Sequence, residues 1–273
     1  MRDVTAQGVR MRVVEAGAGN GPPLVLVHGF LSTHLEFDEV IDLFAPHFHV
    51  IAPDLPGSGD SEKPSPTRYN YGVEAFAEAI ADLISAYGLG RALVVGHGLG
   101  GAVGITLAAL HPELVNRLIL VAPLCYAFQA DAIFKLHLIP IVGSVFFKQF
   151  FGLRAFRKHF RQWVYGAEFA LPAEVDQNYE AFNSPSGRES AYAVLRSMLD
   201  TRPTVARITR IRRPTLVTWG REDRMFPAHQ ALKLVREIPD ARLELFDTAH
   251  APHAERPHDF VLVVREYCEG KRG

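Results

Sequence analysis

Cysteine is scarce in this chain, with only Cys125 and Cys268 among 273 residues. Two thiols make no disulfide framework, and their spacing suits no metal site. No metal or other cofactor is therefore expected. An excess of charge of either sign is also missing. With 29 Lys and Arg against 30 Asp and Glu, there is no net field to gather nucleic acid or an anionic membrane. The one basic cluster, Arg154, Arg157, Lys158 and Arg161, shares a face at helical spacing and reads as a solvated helix surface. Long apolar runs are lacking too. The nearest candidate, LHLIPIVGSVFFKQFFG at 136–152, is broken by Pro140 and Lys148 and is too short to span a bilayer. The opening MRDVTAQGVR has no apolar secretion-signal core. A soluble, cytoplasmic protein is the expectation.

What the chain does have is alternation. Short apolar runs near 11–15, 23–27, 48–52, 92–95, 117–122, 215–219 and 242–246 read as strands. Between them, helical patterns fall near 34–45, 73–87, 99–110 and 228–237, with a terminal helix from about 255. Strands alternating with helices argue for βα units and a mostly parallel sheet. Residues 125 to about 200 break this rhythm. They are rich in helix formers and in large apolar side chains (Phe134, Phe146, Phe147, Phe150, Phe151, Trp163). Most of these suit core packing, and a lid over an apolar pocket accounts for the rest.

The stretch VVGHGLGG at 94–101 carries the chemical question. As G-x-G-x-x-G (Gly96, Gly98, Gly101) it matches a dinucleotide-binding fingerprint. That reading also requires an acidic side chain at the end of the next strand, to hold the ribose hydroxyls. The next strand, RLILVAPL, ends without one. As G-x-nucleophile-x-G (Gly96 to Gly100) it matches a hydrolase elbow with Gly98 where a nucleophile should stand.

Three further stretches fit the second reading. LVLVHGF at 24–30 places His28-Gly29-Phe30 at a strand end, TLVTWGREDRMFP at 215–227 offers strand-G-x-x-D, and AHAPHAERPHDF at 249–260 offers H-x4-E-x-P. In this order they resemble the α/β-hydrolase family, as does the glycine-rich turn DLPGSGDSEKP at 54–64, which reads as structural. The resemblance implies an α/β-hydrolase fold with a mostly parallel eight-stranded sheet flanked by helices. It implies a core of residues 1–124 and 201–273 and a helical cap at 125–200. It nominates Asp223 and His250 as acid and base. The N–H groups of Phe30 and Leu99 become the oxyanion hole, with Gly98 as the vacant nucleophile position. His28 also reads as a loop hydrogen-bonder, and Asp223 alone as a helix cap before Met225 and Phe226. Cys125 reads as a small apolar residue rather than a displaced nucleophile.

Glycine best tolerates an elbow's strained backbone, a strain of about 1–3 kcal/mol, but it removes the covalent acyl-enzyme route. In a comparable triad, losing the serine costs about 10^6 in kcat and leaves a residual 10^3–10^4 over water. Efficient covalent serine-esterase activity is not expected. Three explanations follow: a nucleophile-removed variant, a hydrolase in which His250–Asp223 acts as general base on water, or a non-catalytic binding protein. The chemistry leans to carboxylic esters, with a small hydrophobic ester-like or aromatic substrate. Epoxide or dehalogenase chemistry, which uses an Asp nucleophile and cap tyrosines (Tyr165, Tyr179, Tyr192), is the alternative.

Overall fold

The computed structural model describes residues 1–126 and 142–270. Its centre is an eight-stranded sheet of β1 (Arg2–Ala6), β2 (Val9–Ala16), β3 (Pro23–Val27), β4 (His49–Pro53), β5 (Ala92–His97), β6 (Val115–Val121), β7 (Thr215–Gly220) and β8 (Ala241–Phe246). The order across the sheet is β1-β2-β4-β3-β5-β6-β7-β8. β2 runs antiparallel to β1 and β4, and the remaining pairs are parallel. Seven strands lie where the apolar runs place them. The eighth, β1, has only two inward residues, Val4 and Ala6. It pairs with β2 across a tight turn in which Gln7 and Gly8 both have positive φ (50° and 70°), as two-residue hairpin turns require.

Central strands such as β3 and β5 are buried along almost their whole length, because helices cover both faces of the sheet. Side chains alternate between two cores: Leu24 and Leu26 enter one, Val25 and Val27 the other. α1 (Asp38–Phe44) and the terminal α11 (Pro257–Cys268) pack together on the first side. α2 (Val73–Ala86), α3 (Leu99–Leu110), α8 (Arg202–Ile208) and α9 (His229–Glu237) lie on the second. α3 is apolar all round, since it is wedged between the sheet and the helices α2 and α8. The expected terminal helix is preceded by a short α10 (Pro252–Glu255) and restarts at Pro257, where proline is suited to a first turn.

Between β6 and β7 the described chain is helical, with no strand: α4 (Val142–Phe150), α5 (Leu153–His159) running into a π-helical turn at Phe160–Val164, α6 (Glu174–Phe182) and α7 (Pro185–Met198). Phe147, Phe156, Phe160 and Phe182 gather in a third core with Tyr165 and Ala251, which anchors these helices beside the loop that carries His250. Phe134 and Pro140 lie outside the described residues, as does the side chain of Phe146. Arg154, Arg157, Lys158 and Arg161 are exposed, and Arg157 pairs with Asp176. Among the described residues, no helix is long and apolar enough to cross a membrane.

Candidate active site

Strand order reverses around β3, with β4 on one side and β5 on the other. At such a switch point the loops leaving the carboxyl ends of the strands part and leave a crevice. The elbow stands there. β5 ends at His97, Gly98 takes φ 52° and ψ −110°, and α3 starts at Leu99. An L-residue rarely adopts this backbone, and glycine has no Cβ to oppose it. Gly100 is required for another reason. A Cβ there would overlap the carbonyl oxygen of Val27, so α3 begins in direct backbone contact with β3.

Among the described residues, a Cβ built on Gly98 would meet one atom within 4 Å, the Nε2 of His250 at 3.5 Å. The other ring nitrogen, Nδ1, is 2.8 Å from Asp223 Oδ2. Asp223 follows β7, and its Oδ1 accepts the N–H groups of Met225 and Phe226, each at 2.8 Å. The acid is thus both a turn cap and the partner of a buried imidazole. Both residues are at least nine-tenths buried. The His250 ring is held between those of Phe226 and His97, at centroid distances of 4.9 and 4.6 Å, and its backbone N–H donates to Val164 O. Glu255, from H-x4-E-x-P, accepts the Ala249 N–H at 3.0 Å and steadies the same loop. Burial raises its carboxyl pKa.

Phe30 and Leu99 border a small cavity of about 30 Å³ that also touches Ser32, Thr33, Asn178 and Phe182. Among the described residues, their N–H groups meet no acceptor. Leu31, next in the loop, is held at φ 60°, a costly conformation for leucine. His28 accepts the Leu55 N–H at Nε2 (2.9 Å), joining the loops after β3 and β4. Cys125 is fully buried, and burial pushes its thiol pKa up, which suits packing rather than attack.

Sequence reasoning missed a second group. Glu36 Oε1 accepts the Gly29 N–H at 3.1 Å and lies 3.2 Å from His97 Nδ1 and 3.9 Å from His253 Nε2. Burial alone would raise the Glu36 pKa. His97, by charge and hydrogen bond, and then His253 and His28 outweigh it and hold the carboxyl at about 2. Burial, with the neighbouring histidines, lowers His253 to about 3. A second pairing joins Asn178 of α6 to Thr33, whose hydroxyl donates to Asn178 Oδ1 at 2.7 Å. No sequence spacing announces either group, because their members lie far apart in the chain.

Residues 22–257 match the profile of the α/β hydrolase fold family. The chain is 28% identical to 2-hydroxy-6-oxo-2,4-heptadienoate hydrolase of Pseudomonas putida, covering 97% of this chain and 95% of that protein. It is 36% identical to the soluble epoxide hydrolase of a Corynebacterium species, over 51% of this chain and 47% of that one. Among solved structures, it resembles a serine hydrolase involved in carbazole degradation, with a TM-score of 0.82, 25% identity and coverage of 99% and 98% of the two chains.

Proposed function

The chain belongs to the α/β hydrolase fold family, and on that premise we propose that it hydrolyses a carbonyl substrate of the carboxylic-ester type without a covalent intermediate. The carrying observation is the position at Gly98, where, among the described residues, a Cβ would meet only the Nε2 of His250 at 3.5 Å. In this reading a water fills the space of the missing side chain. His250 Nε2 takes its proton while the water oxygen attacks the carbonyl carbon. Asp223 fixes the ring tautomer through Nδ1–H and stabilises the imidazolium that forms. The carbonyl oxygen becomes an oxyanion and is held by the N–H groups of Phe30 and Leu99. The intermediate then collapses, and His250 returns the proton to the leaving group.

Support for carbonyl rather than epoxide chemistry is the extent of likeness. The relative named for a 6-oxo dienoate aligns along 97% of this chain, and the epoxide hydrolase along 51%. Ester cleavage and cleavage beside a ketone pass through the same type of oxyanion, so both substrates suit the site. The helices between β6 and β7 act as a cap, and their aromatic core favours a small hydrophobic acyl or aromatic group over a sugar or phosphate. The epoxide alternative rests on the stronger partial identity to the epoxide hydrolase, but Gly98 removes the Asp nucleophile that route needs.

The test compares the wild-type chain with His250→Gln on short activated esters and a 6-oxo dienoate. Slow turnover by the wild type, with no acyl-enzyme trapped on quenching and with loss of rate in the variant, is the expected result. Equal rates for the two proteins on every substrate would overturn the proposal.

A further inference from the structure

Next to the His250–Asp223 pair, three side chains from distant parts of the chain converge. Glu36 comes from the 3-10 turn that precedes α1, His97 from the end of β5, and His253 from α10. One ligand atom from each lies within 4.8 Å of the others. Their side chains are 7%, 6% and 1% exposed.

The hydrogen-bond inventory singles this cluster out. His97 Nε2 is 3.2 Å from the carbonyl oxygen of His250. A carbonyl only accepts, so Nε2 carries the ring hydrogen. In an uncharged ring Nδ1 is then a bare lone pair, and it faces Glu36 Oε1 at 3.2 Å. Two lone pairs repel, so something positive belongs between them. His253 Nε2 approaches the same oxygen at 3.9 Å, too long for a hydrogen bond. Its Nδ1 is buried and has no hydrogen-bond partner among the described residues.

We propose that Glu36, His97 and His253 bind a transition-metal dication of the zinc type. One carboxylate and two imidazoles are a donor set these ions take. Bonds of about 2.0–2.1 Å in a tetrahedral site put ligand atoms roughly 3.4 Å apart. The two carboxylate–imidazole distances, 3.2 and 3.9 Å, lie within about half an ångström of that value, and the two imidazole nitrogens, within 4.8 Å of each other, would draw together on binding. Two of the three ligands also have an outer contact, while His253 Nδ1 meets no acceptor among the described residues. A metal-bound imidazole usually donates its second N–H to a carbonyl or carboxylate, as His97 Nε2 does to His250 O. The Gly29 N–H likewise donates to Glu36. The ion is held by three side chains that the proposed reaction does not use. Its role is positioning: it ties the loop after β3, the elbow and the His250 loop to one point. The inference does not depend on the proposed reaction.

The rival occupant is a proton, which would make His97 and Glu36 an imidazolium–carboxylate pair. The test measures zinc in protein from zinc-supplemented cells, cobalt(II) ligand-field absorption on loading, and melting temperature with and without chelator. For the wild type, about one metal per chain and a melting temperature lowered by chelator and restored by zinc are expected. Glu36→Gln should lose the metal. His253→Asn should bind at least about tenfold more weakly, and it supplies the comparison if Glu36→Gln does not fold. A wild type without metal, and with melting unmoved by zinc, cobalt and chelator, assigns the position to a proton and overturns the proposal. Equal metal binding by wild type and His253→Asn overturns it as well.

Discussion

Asp223 holds His250 with one carboxylate oxygen and the chain after β7 with the other. Oδ2 is 2.8 Å from His250 Nδ1, while Oδ1 accepts the N–H groups of Met225 and Phe226. Asparagine can keep the two backbone bonds but presents an amide nitrogen to the ring. Alanine loses both functions.

The two substitutions should therefore separate. In a Gly98→Ser background, Asp223→Asn should lower kcat by about 10^4 through the wrong imidazole tautomer. Its melting temperature should change little. Asp223→Ala should lose the same activity and about 1–3 kcal/mol of stability, because buried donors are left without partners. Paired rate and melting measurements check both. Equal melting temperatures for the two variants would contradict the capping role of Oδ1.

Two glycines on α3 make a second contrast. A Cβ at Gly100 would overlap Val27 O, a rigid backbone atom, whereas one at Gly104 would meet Leu118 Cδ1 at 3.0 Å, the far end of a side chain. Gly100→Ala should cost about 3 kcal/mol or prevent folding. Gly104→Ala should stay within about 1 kcal/mol of wild type, since the helix gains roughly 0.5–1 kcal/mol from alanine while Leu118 shifts. Chemical denaturation of both variants provides the measurement.

How much of this was legible follows from where each signal resides. β3 and β5–β7 announce themselves because strands buried on both faces need continuous apolar runs, and β8 (ARLELF), a half-buried edge strand, shows as an alternation. β1 does not, since RDVTA is an edge strand with only Val4 and Ala6 turned inward. Asp223 and His250 could be nominated because each follows a strand in a recognisable local pattern. Glu36, His97 and His253 could not. Their meeting depends on where the 3-10 turn, the end of β5 and α10 arrive in space, and no spacing encodes it. The glycines of GHGLGG show the same divide. The elbow pattern already marked Gly98 as the strained position, but only the packed structure shows that Gly100 is fixed by contact with β3.

His111, at the carboxyl end of α3, gives a pH prediction of definite sign. Its hydrogen bond to Glu78 (2.9 Å), outweighing a smaller burial effect, raises its pKa above 6.5, with Glu78 and Glu113 adding charge attraction. A folded-state pKa above the unfolded value means stability that is complete below pH 6.5 and lost as pH rises through the raised value. Since the pair is partly solvated, the amount should not exceed about 0.5 kcal/mol. Glu78→Gln should approach wild-type stability above that window and fall below it at pH 5.5. A difference that grows toward alkaline pH would have the wrong sign.

Gly98 itself provides the decisive comparison. Among the described residues, a Cβ added there meets only His250 Nε2, at the ordinary contact distance of 3.5 Å. Serine should therefore fit without displacing neighbours. The backbone at φ 52° should still cost about 1–3 kcal/mol for any L-residue, so Gly98→Ser and Gly98→Ala should melt lower than wild type by similar amounts. Their chemistry should diverge. Serine would bring Oγ within reach of His250 and open the acyl-enzyme route, raising esterase turnover by up to about 10^6. Alanine should exclude the water from its position, so its rate should fall below that of the wild type. This last outcome distinguishes a glycine that makes room for water from one that is merely inert. If wild type and Gly98→Ala hydrolyse activated esters at the same rate while Gly98→Ser gains activity, the elbow is intact but water at Gly98 is not the nucleophile.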